Sequence, residues 1–281
     1  MYIFHKIEEL ENHFSTVSKG ESKGMVPTMG ALHSGHISLV KKALNENKHT
    51  IVSIFVNPTQ FNNAEDLEKY PQTLKEDIAL LETASKDIVV FAPSAQEIYN
   101  SDIKSESYNF DGLEKVMEGE FRDGHFDGVG TIVEKLFSIA KPDNAYFGEK
   151  DYQQLQIIKK LVEIKKIPVN VIGCPIVREE SGLAMSSRNE RLTPKLRTEA
   201  AFIYKTLKDA KQKFGTESAL EVTEWITAQF KKNDLLELEY FTITNADDLQ
   251  TIKIKSENKK YRAFIAVYAN DIRLIDNIAL N

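Results

Sequence analysis

This 281-residue chain has one cysteine and no apolar run approaching the ~20 residues of a membrane span. With Cys174 as the single thiol no disulfide framework can form, and its place between Gly173 and Pro175, after an apolar run, suits a small packed hydrophobe better than a reactive group. Basic charge is scarce too. Against 42 Asp and Glu stand 36 Lys and Arg, a formal net charge of −6, which excludes the broad positive footprint that nucleic acid or anionic lipid requires. Phosphate binding in such a chain must be local. The opening residues Met-Tyr-Ile-Phe-His-Lys-Ile-Glu-Glu-Leu meet charge too early for a signal peptide, so a cytoplasmic protein with neither a membrane nor a nucleic-acid partner is expected. Internal repeats and low-complexity tracts are also missing. What is present is an apolar fraction of 42%, enough for one large or two modest cores.

Through the first two-thirds, apolar runs of strand length (24–28, 51–56, 87–92, 145–148 and 169–173) alternate with helical patterns near 35–45, 73–84, 128–140 and 151–165. Strands that are apolar throughout and joined by helices predict a parallel sheet covered on both faces, a doubly wound Rossmann-like α/β domain whose ligands sit beyond the carboxyl ends of its strands. The pattern changes after Ile176. Helical stretches near 194–214, capped by Thr193 ahead of Pro194, and 217–230, capped by Thr216, precede strand-like runs at 238–244, 261–268 and 272–276. Helices followed by neighbouring strands predict a smaller α+β domain with an antiparallel sheet. The expected division is 1–176 for nucleotide and acid binding and 177–281 for a domain covering the active site.

The densest chemistry lies in Met25-Val-Pro-Thr-Met-Gly-Ala-Leu-His-Ser-Gly-His36, a strand, a tight turn and a helix start bearing two histidines. Unpaired N–H groups and the positive end of the dipole make a helix start an anion site, and His33 and His36, three apart, project from one side of its first turn. Gly30 and Gly35 let a base or phosphate approach the backbone. Two packed histidines or half of a zinc site remain alternative readings of the pair. Asn57-Pro-Thr-Gln60 ends another strand with amides that either cap a turn or hold a hydroxy acid. In Gly148-Glu-Lys-Asp151 a turn and a lysine precede a further helix, where the ammonium is either solvated or a clamp on phosphate oxygens. Met185-Ser-Ser-Arg188 lies in the polar connector between domains, a flexible linker or a phosphate-binding loop on a hinge. The segment 119–130, with Arg122, His125 and Phe126, reads as a mobile loop without an assigned role.

Taken in order, Val26–His36, Phe55-Val-Asn-Pro-Thr-Gln60-Phe, Lys69-Tyr-Pro71, Phe147-Gly-Glu-Lys-Asp151 and Met185-Ser-Ser-Arg-Asn189 resemble the pantothenate synthetase family of the nucleotidyltransferase superfamily, densely as far as Arg191. The resemblance implies an ATP-dependent ligase that condenses pantoate with β-alanine through a pantoyl adenylate, releasing AMP and pyrophosphate. It implies ATP contacts at Met29, Gly30, Ala31, Leu32, His33, Ser34, Gly35, His36, Gly148, Glu149, Lys150, Asp151, Val177, Met185, Ser186, Ser187 and Arg188. Gln60 and Gln154 would hold pantoate, Gln60 also lying near β-alanine, and His36 would be the catalytic proton donor. Mg²⁺ is implied with ATP, its ligands unassigned; Asp77 is a candidate to orient it or a solvated helical carboxylate. A homodimer is implied as well. The rivals are another nucleotidyltransferase, separable by β-alanine-stimulated AMP release, a non-catalytic ATP sensor, and an aminoacyl-tRNA synthetase, against which the short, acidic chain argues.

Overall fold

A computed structural model describes residues 1–16, 20–62 and 64–281. The chain divides into two compact units, one of Met1–Glu149 with Gln154–Pro175, the other of Lys150–Gln153 with Ile176–Asn281.

In the first unit, strands β1 (Tyr2–Phe4), β2 (Lys23–Thr28), β3 (His49–Ile54), β4 (Val89–Phe91), β5 (Asn144–Gly148) and β6 (Asn170–Cys174) form one sheet in the order β1-β4-β3-β2-β5-β6. All five neighbouring pairs are parallel. The central strands are near-continuous apolar runs because both faces are covered: Met25, Val26, Ile51, Val52, Val90 and Ala145 are fully buried. Helices α1 (Ile7–Ser15), α2 (Ser34–Glu46), α3 (Ala64–Glu68), α4 (Leu74–Glu82), α5 (Ala95–Tyr99), α6 (Glu118–Phe121), α7 (His125–Ala140) and α8 (Tyr152–Lys165) connect the strands, α8 starting in the second unit's short segment. One core cluster packs Val40 and Ala43 of α2 and Leu81 of α4 on Val26, Val52 and Val90. Strand order reverses between β2 and β5, the crevice where open α/β sheets bind ligands.

The second unit holds α9 (Pro194–Glu199), α10 (Ala201–Phe214) and α11 (Ala219–Phe230), and an antiparallel sheet of β7 (Glu237–Asn245), β8 (Tyr261–Ala269) and β9 (Ile272–Ala279) in that order. Ile203, Leu207, Ala210 and Phe214 recur along one stripe of α10, as do Ala219, Val222, Ile226 and Phe230 on α11; both stripes join Ile243, Ile265, Val267 and Leu274 of the sheet in one core. The Thr193 side chain accepts from Leu196 N, with Pro194 at the first helical position. At α11 the expected cap, Thr216, is displaced by Ser218, which forms a reciprocal capping box with Glu221. Among the described residues no helix is long and apolar enough to cross a membrane.

Candidate active site

The first unit presents the histidine turn. β2 ends at Thr28, and Gly30 (φ 83°) and Ala31 (φ 48°) turn the chain through left-handed backbone into α2. A methyl at Gly30 would stand 3.0 Å from Asp77 Oδ2 and 3.2 Å from Ile54 Cγ2, so the position demands glycine for space as well as for φ. Asp77, on α4, braces the turn: Oδ2 accepts from Ala31 N at 3.1 Å and Oδ1 from Leu32 N at 2.7 Å, with the Thr73 hydroxyl at 3.3 Å. This carboxylate is 2% exposed, not the solvated group that its helix suggested. Burial raises its pKa, against the pull of the Leu32 and Ala31 N–H groups and the Thr73 hydroxyl. Its oxygens already serve the backbone, which makes it a poor magnesium ligand.

His33 is the N-cap of α2 and His36 its third residue, and they act as a capping box: His33 Nδ1 accepts from Gly35 N at 3.1 Å and His36 Nδ1 from His33 N at 3.3 Å. An Nδ1 that accepts a hydrogen bond carries no proton, so the proton of each ring lies on Nε2. The rings are 4.1 Å apart. Two imidazole N–H donors therefore stand together at a helix start, beside Ser34 and Gly35 of its first turn. Among the described residues no three His, Cys, Asp or Glu side chains assemble to hold a metal, as a zinc site at this pair would need.

Gln60 follows β3 and is 7% exposed. Its Nε2 donates to Met29 Sδ at 3.1 Å and its Oε1 accepts from Asn57 Nδ2 at 3.1 Å. Asn57 in turn donates to Gly128 O at 3.1 Å and accepts from the Tyr99 hydroxyl at 2.6 Å. The Gln60 carbonyl accepts from His125 Nδ1 at 2.9 Å and Arg122 Nη2 at 3.4 Å. The stretch 119–130, expected as a mobile loop, is thus mostly α6 and the first turns of α7, and it braces Gln60. Its Gly128 serves close packing, since a methyl there would overlap the Thr59 carbonyl. Gly148 ends β5, paired to Cys174, Glu149 follows it, and Gln154 lies half-buried in α8.

The second unit gathers the cationic residues. The connector is not a flexible linker: Val177 O accepts from Met185 N at 3.0 Å and Glu179 N donates to Leu183 O at 2.8 Å, a small hairpin that Gly182 (φ 95°) turns. Ser186 then caps a 3₁₀ turn, Ser187–Arg191, accepting from Arg188 N at 3.3 Å. Asn189 locks the hairpin, donating to Ala184 O at 3.0 Å and Glu179 Oε1 at 2.8 Å. Lys150, Ser186, Arg188, Asn189, Arg273 and Asp276 line one small hollow. Lys150 Nζ lies 3.4 Å from Asp151 Oδ1. Arg178 pairs with Asp276 through two bonds of 2.6 and 2.9 Å and stacks 3.5 Å over the Tyr204 ring. Burial raises the Asp276 pKa while that guanidinium opposes it.

The expected contacts thus fall into two sets, 29–36, 60, 148, 149 and 154 in the first unit and 150, 151, 177 and 185–188 in the second. Sequence reasoning misses Asn57, Tyr99, His125, Arg178, Asp276 and Asn277 in these roles. Asp276 and Asn277 carry one signal, adjacent polar residues between Ile275 and Ile278 in an otherwise apolar run.

The fold agrees with what the chain is similar to. The family model for pantoate-beta-alanine ligase matches residues 2–279. A pantothenate synthetase of Christiangramia forsetii is 60% identical over 264 residues, covering 94% of this chain and 93% of that one; another, of Flavobacterium psychrophilum, is 55% identical over the full length of both. The crystal structure of pantothenate synthetase from Thermus thermophilus is 36% identical, covers 100% of this chain and 99% of its own, and superposes with a TM-score of 0.90. Pantoate-beta-alanine ligase from Francisella tularensis, complexed with beta-gamma ATP and beta-alanine, is 40% identical with a TM-score of 0.81, covering 100% and 98%. With its family model matched almost from end to end, the chain belongs to the pantoate–β-alanine ligase family.

Proposed function

We propose that this chain condenses pantoate with β-alanine using ATP, through a pantoyl adenylate, and that His33, His36, Lys150 and Arg188 carry the charge of the phosphates. One observation bears most of the weight: two imidazoles at the start of α2, each with Nδ1 engaged by a backbone N–H and its proton consequently on Nε2. Neutral donors fixed by a helix cap are preorganised for oxygens that gain charge, without reorganising during reaction.

In the first step the pantoate carboxylate, ionised at neutral pH because its pKa lies near ~4, needs no base; its oxygen attacks the α-phosphorus and the bond to pyrophosphate breaks. Catalysis is then alignment and charge neutralisation. The histidine pair and the N-terminus of α2 supply donors, Lys150 a point charge, and Arg188 a planar fork. The Gln60 amide, held by Asn57 and by the partners of its backbone carbonyl, suits the hydroxy acid. In the second step the β-alanine nitrogen, having lost to solvent the proton it carries with a pKa near ~10, attacks the acyl carbon; AMP leaves with the bonding pair and the nitrogen sheds a second proton to solvent as the amide forms.

The donors do not form a resident magnesium site, since Asp77 is committed to Ala31 and Leu32. Any Mg²⁺ would enter on the phosphates of ATP, as such ions commonly do. No step above is routed through it. A cytoplasmic homodimer follows from the family reading, and light scattering that returned the mass of one chain would remove the dimer. The function itself is tested by incubating the protein with ATP, pantoate and β-alanine: pantothenate and AMP should form in equal amounts only with all three, whereas ATP binding without product would leave a nucleotide sensor.

A further inference from the structure

Lys150 begins a four-residue stretch, Lys150–Gln153, that packs with the second unit, although β5 before it and most of α8 after it belong to the first. Three contacts fasten the stretch there. Asn277, on β9, donates from Nδ2 to the Lys150 carbonyl at 2.8 Å; the Arg262 guanidinium lies 3.9 Å over the Tyr152 ring; and that ring packs 5.9 Å from Phe264. Arg262 Nη1 also donates to Asn277 Oδ1, so the carboxamide is gripped at both ends and its orientation is set, oxygen to guanidinium and nitrogen to carbonyl. The preceding residue, Asp276, accepts from Asn277 N at 2.7 Å and holds Arg178, the second residue of the hairpin that leads to Met185–Arg188.

From this geometry we infer that Asn277 is a positioning residue for Lys150, and that Asp276 and Asn277 together tie Lys150 and the 177–188 hairpin into one cationic frame for the triphosphate. The inference rests on Lys150 and Arg188 being phosphate contacts. A lysine is a compact charge on a flexible stem, so the reach of its ammonium is set by where its backbone is held. Asn277 is 1% exposed on a strand flanked by Ile275 and Ile278, where burying an amide is costly unless its bonds are made. An apolar residue of that volume would break both the bond from Arg262 and the bond to the Lys150 carbonyl. What the carboxamide adds is a fixed Lys150 carbonyl, and a displacement of about 1 Å in a catalytic charge costs about 10²-fold in rate.

The test is a double-mutant cycle in the full-length enzyme, read by pantoate-dependent exchange of pyrophosphate into ATP. Asn277→Asp keeps the volume and the Arg262 contact but loses the donor; Asn277→Ala loses both. Each should lower the exchange kcat by about 10- to 100-fold with the KM for pantoate unchanged. In a Lys150→Ala background each should cost less than about twofold more, since a residue acting through Lys150 has nothing left to position. Losses that multiply, or a folded Asn277→Asp variant with normal exchange, would overturn the inference while leaving Lys150 in its role. Normal exchange in Lys150→Ala alone would instead remove the phosphate-contact reading, and the inference with it.

Discussion

Asp77 holds the backbone of Leu32: its Oδ1 lies 2.7 Å from the Leu32 amide nitrogen, while Oδ2 accepts from Ala31 at 3.1 Å. Those N–H groups belong to the turn that passes through φ 83° at Gly30 and φ 48° at Ala31 and delivers His33 to the start of α2. A non-glycine residue in left-handed backbone costs about 1–3 kcal/mol unless its surroundings hold it, and the carboxylate does so here. Asp77→Asn keeps the size but turns an N–H donor toward a backbone N–H. It should lose about 2 kcal/mol of stability and lower adenylate formation by about 10²-fold in protein that remains folded. Thermal unfolding beside single-turnover adenylation checks this, and a folded variant with normal adenylation would show that the brace has no catalytic consequence.

The two histidines can be separated from their capping duty. Asparagine is among the best N-cap residues and glutamine at the third position completes a capping box, so His33→Asn and His36→Gln preserve the helix start while removing the imidazole Nε2–H. Stability should change by less than about 1 kcal/mol and adenylate formation should fall by about 10²–10³-fold in each. A drop in stability large enough to account for the lost activity would make the pair structural.

Gln60 depends on a relay, because the Tyr99 hydroxyl donates to Asn57 Oδ1 at 2.6 Å and Asn57 donates to Gln60 Oε1 at 3.1 Å. Tyr99→Phe should raise the KM for pantoate about tenfold, the equivalent of one net hydrogen bond, with the KM for ATP unchanged. Steady-state kinetics with each substrate varied in turn decide it, and equal effects on both constants would contradict the relay.

The parallel sheet was legible because β2 to β5 are apolar runs with buried centres, and the edge strand β6, where only Cys174 is buried, still carries Val171 and Ile172. β1 was not: Tyr2 is 56% and Ile3 39% exposed at the sheet edge, so three residues there carry no burial pattern. The glycines of 119–130 resemble loop residues, yet in the fold Gly128 admits the Thr59 carbonyl and Gly130 the rings of Tyr108 and Phe110. The sequence pattern stops β9 at Asp276 because adjacent Asp and Asn resemble a strand end; the strand runs to Ala279, since Arg178, Arg262 and Lys150, all distant in sequence, satisfy those side chains. The motif residues were readable from local chemistry. Their supports were not, because, Asn57 aside, each is a hydrogen-bond partner that only the fold brings near.

Cys174 supplies a pH-dependent check on the first unit's core. Burial pushes its thiol from 9.0 up to about 11, with Lys42 opposing and Glu46 and Glu149 adding to the rise. The folded chain therefore retains a proton that the unfolded chain releases. This contribution to stability is fully present below about pH 9 and lost as pH climbs toward about 11. Denaturant titrations should show the stability gap between the native chain and Cys174→Ala shrinking by roughly 2 kcal/mol across that window. A gap that stays constant would mean the thiol is not perturbed. At neutral pH the same burial should leave it resistant to alkylating reagents until the protein unfolds.

Pantoate is activated on ATP before the amine reacts in the mechanism proposed for this chain. Exchange of labelled pyrophosphate into ATP measures that step alone. Exchange should require pantoate and proceed without β-alanine; exchange indifferent to pantoate, or exchange that appears only when β-alanine is added, would contradict this order of steps.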